Sequence, residues 1–178
     1  FVVTDLSDIK PGEMVDLAGG EGRNAIWFAS RGWKAENVEF SGVALTKFRS
    51  RAESLGFDDD TFATLADAKN AKFQLEPDLL LVCYLQLPWE ELKQALENGL
   101  SQVRNGQIFG VWHALRNVTD GYGGPPRPEL NVDPENLNAW AAANNLNATV
   151  EERQRRVETP DGPRFAIDVI FSAEVASN

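Results

Sequence analysis

Val15-Asp16-Leu17-Ala18-Gly19-Gly20-Glu21-Gly22-Arg23-Asn24-Ala25 is the stretch that decides the fold. Its part from Gly20 to Ala25 fits the pattern G-x-G-x-x-G/A, which joins a strand to a helix in open α/β sheets. Glycine is favoured in such a loop because a side chain would block the approach of a ligand to the backbone. The helix that follows begins with unpaired N–H groups, which a ligand can use. The stretch therefore predicts a strand–loop–helix unit that binds a nucleotide-like ligand.

The rest of the chain alternates strand and helix patterns around this unit. Apolar runs and turn residues predict strands at 13–17, 34–40, 61–65, 77–84 and 107–113, and helices at 1–9, 23–31, 43–55, 89–103 and 133–144. Two further strands, 149–158 and 164–174, flank the turn at 160–162. The order predicts an α/β, Rossmann-like, doubly wound and mostly parallel seven-stranded sheet with an antiparallel C-terminal hairpin. We interpret residues 1–178 as one domain that lacks a native N-terminal segment, because Phe1 already lies in an apolar stretch.

Composition narrows the classes of partner. The chain carries 17 basic and 27 acidic side chains, a net charge of −10, which disfavours nucleic acid and anionic membranes. The longest apolar stretch, 79–85, is far shorter than the ~20 residues that span a bilayer. The lone cysteine, Cys83, excludes an internal disulfide and favours a cytoplasmic protein. The expected partner is a small molecule; no metal is predicted, and the sequence leaves the oligomeric state open.

Three acidic residues lie near the ends of successive predicted strands. Asp16 precedes the glycines, Glu39 comes about 20 residues later at the end of the second strand, and Asp67 follows the third. The acid at Glu39 suits the hydroxyls of a ribose and is compatible with either NAD or S-adenosylmethionine (SAM). Asp16 is awkward beside a pyrophosphate and suits a ligand with a cationic amino-acid end. Three carboxylates together favour SAM.

The stretch 16–25 resembles the D-L-G-C-G-E-G-R-N-A signature of class I SAM-dependent methyltransferases. More narrowly, it is similar to small bacterial tellurite-resistance and thiopurine methyltransferase-like proteins. The resemblance extends over nearly the whole chain, through Gly32-Trp33, 38–41, 44–45, 66–68, 84–88 and the closing hairpin. It implies a methyltransferase that transfers a methyl group to a small-molecule acceptor by in-line displacement.

The resemblance also implies site residues. Asp16 would lie near the methionine end of SAM, Glu39 would bind the ribose hydroxyls, and Asp67 would bind the adenine amino group. Tyr84 would lie near the transferring methyl group. The expected cofactor-binding set is Asp16, Ala18, Gly20, Gly22, Asn24, Glu39, Phe40, Asp67, Ala68 and Tyr84. The catalytic residues are unknown, with His113 and Tyr84 as candidates for assistance; His113 has a structural alternative.

Two departures from the signature leave alternatives open. Ala18 replaces the first glycine, which strains the turn by roughly 1 kcal/mol or more if that position has a positive φ. Gln86 stands where relatives often carry histidine. The alternatives are therefore a degenerate SAM-binding domain without turnover and, less favoured, an NAD(P)-dependent oxidoreductase.

Several other segments have plainer interpretations. Cys83 lies in an apolar strand and is interpreted as a small buried hydrophobe. Tyr122 and Arg127 lie in the long loop 116–131, which is typical of a lid or of disorder. The charged run 151–156 is interpreted as the solvated face of an edge strand.

Overall fold

The computed structural model describes residues 1–176. The strands are β1 (Glu13–Leu17), β2 (Lys34–Glu39), β3 (Thr61–Leu65), β4 (Leu79–Cys83), β5 (Gly106–His113), β6 (Asn147–Val157) and β7 (Arg164–Val175). The α-helices are α1 (Val2–Leu6), α2 (Arg23–Ala29), α3 (Gly42–Ser54), α4 (Trp89–Leu100), α5 (Asn117–Asp120) and α6 (Pro134–Ala143). Two 3₁₀ turns lie at Asp58–Asp60 and Pro128–Leu130.

The seven strands form one sheet in the order β3-β2-β1-β4-β5-β7-β6. The first five are parallel, and β7 runs antiparallel to both β5 and β6. The predicted fold class is confirmed, including the antiparallel hairpin at one edge. The strand order reverses between β1 and β4, which is the position where open α/β sheets bind ligands.

Apolar side chains cover both faces of the sheet. The first four residues of β4 are buried: Leu80 and Val82 belong to the cluster beneath α4 and α6, whereas Leu79 and Leu81 belong to the cluster beneath α2 and α3. A parallel strand buried on both faces needs such a continuous apolar run. The two layers of helices hold the carboxyl ends of the central strands fixed, and the site lies at these ends.

Short polar side chains cap the first turns of α3 and α6. The Ser41 hydroxyl accepts a hydrogen bond from the Ala44 amide at 3.3 Å and caps α3, as its sequence position predicts. Asp133 caps α6 in the same way, accepting from the Glu135 amide at 3.0 Å. Helix α2 has no side-chain cap: its N-cap residue is Gly22, with a φ of 71°.

The loop 116–131 is built around two buried asparagines. Asn117 accepts from the Ile167 amide at 2.7 Å and donates to the Gly123 carbonyl at 2.8 Å. Asn131 donates to the carbonyls of Pro125 and Arg127. The loop contains α5 and a 3₁₀ turn, and these side chains tie it together.

Candidate functional site

The loop between β1 and α2 turns through three residues with left-handed backbone conformation. Ala18, Gly20 and Gly22 have φ values of 61°, 59° and 71°. A positive φ favours glycine at all three positions. Ala18 does have a positive φ, so its backbone conformation is strained, as expected from the sequence for that case. At Gly22 a side chain is also excluded by space, because a Cβ atom would collide with the Phe48 ring.

Strand β2 holds this loop through its backbone and one amide side chain. The amides of Ala18 and Gly19 donate to the Val38 carbonyl at 2.8 and 3.3 Å. The Asn37 side chain donates to the Gly20 carbonyl at 2.9 Å. These contacts fix the first part of the loop, from Ala18 to Gly20, before a ligand arrives.

Asp16 is wholly buried directly beneath the loop. A Cβ atom on Gly19 would collide with its carboxyl group, and neither carboxyl oxygen has a hydrogen-bond partner among residues 1–176. Burial raises the pKa of Asp16 from the ordinary 3.8 to about 7, an effect opposed by the Asn24 side chain and increased by the charge of Glu39. A buried carboxyl group without a partner is costly for the fold and is typical of a functional site.

Glu39, the last residue of β2, ties the loop to the start of α3. Its two carboxylate oxygens accept from the Gly20 amide at 3.0 Å and the Ser41 amide at 2.9 Å. The residue is only 6% exposed. Each oxygen retains a second acceptor position, because a carboxylate offers about four lone-pair sites.

A cavity of about 790 Å³ opens above the glycine loop. This volume falls within the usual range for sites that bind small molecules and cofactors, ~300–1,000 Å³. Four residues of the predicted cofactor set line it: Ala18, Gly20, Asn24 and Tyr84. Helix α1 covers part of the cavity through its first residues. The loop and the end of β4 are therefore brought together, as the sequence suggests.

Tyr84 follows β4 and also has a left-handed backbone, with a φ of 54°. Its hydroxyl donates to Asp168 Oδ2 at 3.0 Å. Burial, together with the charge of Asp168, raises the pKa of Tyr84 well above its usual value. Two non-glycine residues of strained conformation, Ala18 and Tyr84, thus line the same cavity, and such strain concentrates at functional sites.

Asp168 on β7 is the centre of a buried polar cluster beside this cavity. Besides Tyr84, it accepts from Arg155 Nε at 2.7 Å, and His113 Nδ1 lies 3.0 Å from its Oδ1 without the alignment of a hydrogen bond. Burial opposes ionisation, but the His113 and Arg155 side chains hold the pKa of Asp168 below its usual value. The Asp168 carboxylate is therefore ionised and balanced by Arg155.

His113 is 8% exposed and does not line the cavity. Its ring packs against Gly124, where an added Cβ atom would approach it to 2.7 Å. The ring centroid also lies 5.0 Å from that of Tyr84. This environment supports the structural alternative for His113.

Four other residues of the predicted cofactor set lie outside the cavity lining. Gly22 is buried against Phe48 at the start of α2. Phe40 is 76% exposed, and the Asp67 side chain is half-exposed, 3.8 Å from Lys69 Nζ. Ala68 is buried in the core. None of these four residues lines the cavity, and neither do Asp16 and Glu39, which lie beneath and beside the glycine loop. The roles of all six in binding remain predictions.

Two members of the Asp168 cluster were not among the sequence-derived site residues. Arg155 was included in a charged run interpreted as solvated, although it lines the cavity and pairs with a fully buried carboxylate. Burial alternates along β6, where Arg153 and Arg155 are half-buried and Arg156 is exposed, but the sequence 151–156 is polar at every position and does not show this alternation. Asp168 lies within the apolar strand β7, and a single acid in such a strand is a sign of a buried polar contact.

Residues 1–176 contain no group of three or more His, Cys, Asp or Glu side chains placed to hold a metal ion. In the same residues, no helix combines the length and apolar character needed to cross a membrane.

Comparison with known proteins identifies the fold. No protein-family model matches the chain, and no curated protein matches it in sequence. Among solved structures, TehB from Haemophilus influenzae has a TM-score of 0.76 at 16% identity, covering 98% of this chain and 61% of TehB. A SAM-dependent methyltransferase from Methanosarcina mazei has a TM-score of 0.72 at 13% identity, covering 96% of each chain. Magnesium protoporphyrin IX methyltransferase from Synechocystis, solved with bound S-adenosylhomocysteine (SAH), has a TM-score of 0.70 at 14% identity, covering 98% of this chain and 78% of that enzyme. The chain therefore has the fold of the SAM-dependent methyltransferases.

Proposed function

We propose that this protein is a SAM-dependent methyltransferase that acts on a small-molecule acceptor. The observation that carries the proposal is the pair of acids directly around the glycine loop. Asp16 lies buried beneath Gly19, and Glu39 accepts from the Gly20 amide. The acid at Glu39 suits either cofactor, whereas the buried Asp16 carboxyl disfavours a pyrophosphate at this loop and suits the cationic amino-acid end of SAM.

The cavity and the residues around the glycine loop suit a ligand of this kind in three respects. Its volume of about 790 Å³ accommodates a nucleoside with an amino-acid arm. The free acceptor positions of Glu39 suit ribose hydroxyls, and the partnerless Asp16 carboxyl gives a cationic end a partner, directly or through water. The exposed Phe40, next to Glu39, offers an aromatic surface at the expected adenine end.

Bound SAM would supply an electrophilic methyl group on its sulfonium. The residues of the chain would hold the acceptor in line with that methyl group and shield the two from water. Methyl displacement gains most from alignment of nucleophile and methyl group about 3 Å apart. Tyr84 stays protonated because its pKa is raised, so it acts as a hydrogen-bond donor and not as a base. Asp168 is already paired. The acceptor must therefore bring its own reactive atom, such as a thiol, an easily ionised hydroxyl, an amine or a metalloid oxyanion.

The acidic charge of the chain supports a small acceptor over nucleic acid, and its single cysteine suits a cytoplasmic location. A second candidate function is SAM binding without turnover. It is favoured by the φ of 61° at Ala18, which strains the binding loop.

The proposal is tested by melting the protein with SAM, SAH or NADH and by measuring SAH release with a panel of thiols, phenols and oxyanions. We expect SAM and SAH, but not NADH, to raise the melting temperature, and at least one acceptor to release SAH. Stabilisation by NADH alone would overturn the proposal. Stabilisation by SAM with no release of SAH across the panel would favour the second candidate.

A further inference from the structure

We propose that Arg155 binds an anionic oxygen group of the acceptor, so that the substrates of this protein carry a carboxylate or a phosphate. The inference rests on the proposed function, because it names the class of acceptor for that site. It arises from how the Arg155 side chain is held and from what remains of its hydrogen-bonding capacity.

One edge of the Arg155 guanidinium is fixed within the protein. Its Nε donates to Asp168 Oδ2 at 2.7 Å, and the Asp168 side chain is fully buried. Asp168 is itself held by the Tyr84 hydroxyl. The guanidinium carbon lies 5.8 Å from the centroid of the Tyr84 ring. The side chain is therefore pre-oriented, which lowers the entropy lost when a ligand binds.

The other donors of Arg155 are free to meet a ligand. Among residues 1–176, no hydrogen bond of normal geometry joins its two terminal nitrogens to a side chain or a backbone carbonyl, although the Tyr84 hydroxyl lies close enough to the guanidinium to affect its pKa. The side chain is 36% exposed and lines the cavity above the glycine loop. A guanidinium presents its donors as a planar fork that matches the oxygens of a carboxylate or phosphate.

The charge of the cavity lining supports an anionic ligand. The lining contains three arginines, Arg23, Arg51 and Arg155, and one acid, Glu21. Glu21 is already paired with Lys47 at 2.6 Å. The cavity lining is therefore basic, whereas the whole chain has a net charge of −10.

The three arginines lie at different places along the cavity. Arg23 and Arg51 lie close to Glu21 and, after Lys47, help to lower its pKa, whereas Arg155 lies beside Tyr84 at the end of β4. Arg155 is thus the arginine at the acceptor end.

The rival interpretation is that Arg155 only neutralises the buried Asp168. That role needs a positive charge but does not need the free terminal nitrogens. The two interpretations are separated by measuring anion binding, with Arg156→Gln as the matched control. Arg156 is the next residue on β6, is exposed, and pairs with Glu158 at 2.7 Å outside the cavity.

The experiment follows melting of the wild type, Arg155→Gln and Arg156→Gln at constant ionic strength, with and without SAH. The probes are acetate, benzoate and inorganic phosphate, with acetamide and benzamide as neutral counterparts of the carboxylates. We expect at least one anion, and neither amide, to stabilise the wild type and Arg156→Gln. Arg155→Gln should weaken the apparent affinity for that anion at least about tenfold, equivalent to ~1.4 kcal/mol. The carboxylate and phosphate arms show which group is preferred.

The outcomes are decisive in either direction. No stabilisation of the wild type by any anion, or equal stabilisation of Arg155→Gln, overturns the inference. If Arg155→Gln does not fold, Arg155→Lys is compared with Arg156→Lys: the lysine keeps the charge but loses the fork, so anion affinity should fall only in Arg155→Lys. Anion binding is also measured without SAH. If SAH does not bind, the proposed function is contradicted, but the effect of Arg155→Gln on anion binding can still be measured.

Discussion

The Glu39 carboxylate, at the end of β2, accepts the amide proton of Gly20 at 3.0 Å and so connects the second strand to the glycine loop. Its other oxygen accepts from Ser41 at the start of α3. The Glu39 side chain therefore joins the loop to both β2 and α3, in addition to the contacts that Asn37 and Val38 make with the loop. A carboxylate at position 39 therefore stabilises the loop and the start of α3 even when no ligand is bound.

Replacing Glu39 by glutamine should loosen the loop and weaken binding of SAH. The amide retains one acceptor oxygen and turns an NH₂ group towards the other backbone donor, which leaves a buried N–H unpaired at a cost of about 1–3 kcal/mol. We expect Glu39→Gln to lower the free energy of unfolding by about 2 kcal/mol, measured by urea denaturation, and to weaken SAH binding at least about tenfold.

The control is Glu97→Gln on α4, since Glu97 is exposed, lies outside the cavity and forms only a surface ion pair with Lys93. This variant should change both quantities little. Equal effects of the two substitutions would show that Glu39 has no special part in positioning the loop.

Asp16 should make the stability of the protein depend on pH. Its pKa in the folded state is about 7, above its ordinary value of 3.8. Between these two values the unfolded chain loses the proton first, so stability falls as the pH rises through this window. The full effect is roughly 4 kcal/mol.

Asp16→Asn removes this dependence and should be more stable than the wild type above pH 7 but not at pH 4, by urea denaturation across that range. Asp161→Asn, in the exposed turn between β6 and β7, is the control and should follow the wild type at every pH. A difference between Asp16→Asn and the wild type that does not vary with pH would contradict the assignment.

Ala18→Gly should stabilise the protein, unusually for an alanine-to-glycine change. The φ of 61° at Ala18 costs a non-glycine residue about 1–2 kcal/mol, and the greater flexibility of unfolded glycine offsets part of the gain. We expect a net gain of up to about 1 kcal/mol in thermal or urea denaturation. The comparison is Ala95→Gly in the interior of α4, which should lose about 1 kcal/mol or more. Destabilisation by both changes would mean that the loop does not strain Ala18.

Gly22→Ala should be much more damaging than Gly32→Ala. Both glycines have a positive φ, 71° and 82°, but only Gly22 faces a neighbour, the Phe48 ring. Backbone strain alone costs about 1–2 kcal/mol, and forced overpacking adds about 1–3 kcal/mol. Chemical denaturation of the two variants therefore measures the close packing at the start of α2, and equal losses would contradict it.

The sequence predicts most of the fold because the periodic patterns are strong and local. Strands β1 and β3 have the predicted bounds, and the apolar run that forms β4 predicts burial on both faces. The ends of the helices differ by a few residues, since capping there competes with tertiary contacts. Helix α4 ends at Leu100, for example, although the pattern continues to Val103.

The candidate site is less completely predictable, because it depends on contacts between distant strands. Asp16 and Glu39 stand out through their spacing from the glycines. The pairing of Arg155 with Asp168 arises only when β6 and β7 form a hairpin beside β5. No local pattern distinguishes Arg155 from the solvated charges around it, so its contribution to the cavity becomes visible only in three dimensions.

The central claim, that the loop around Gly20 binds SAM and not a dinucleotide, is tested most directly by calorimetric titration of the wild-type protein with SAH and, separately, with NADH. The account predicts saturable binding of one SAH per chain, with a dissociation constant in the micromolar range or below, and no saturable heat from NADH. Saturable binding of NADH with none for SAH would contradict it.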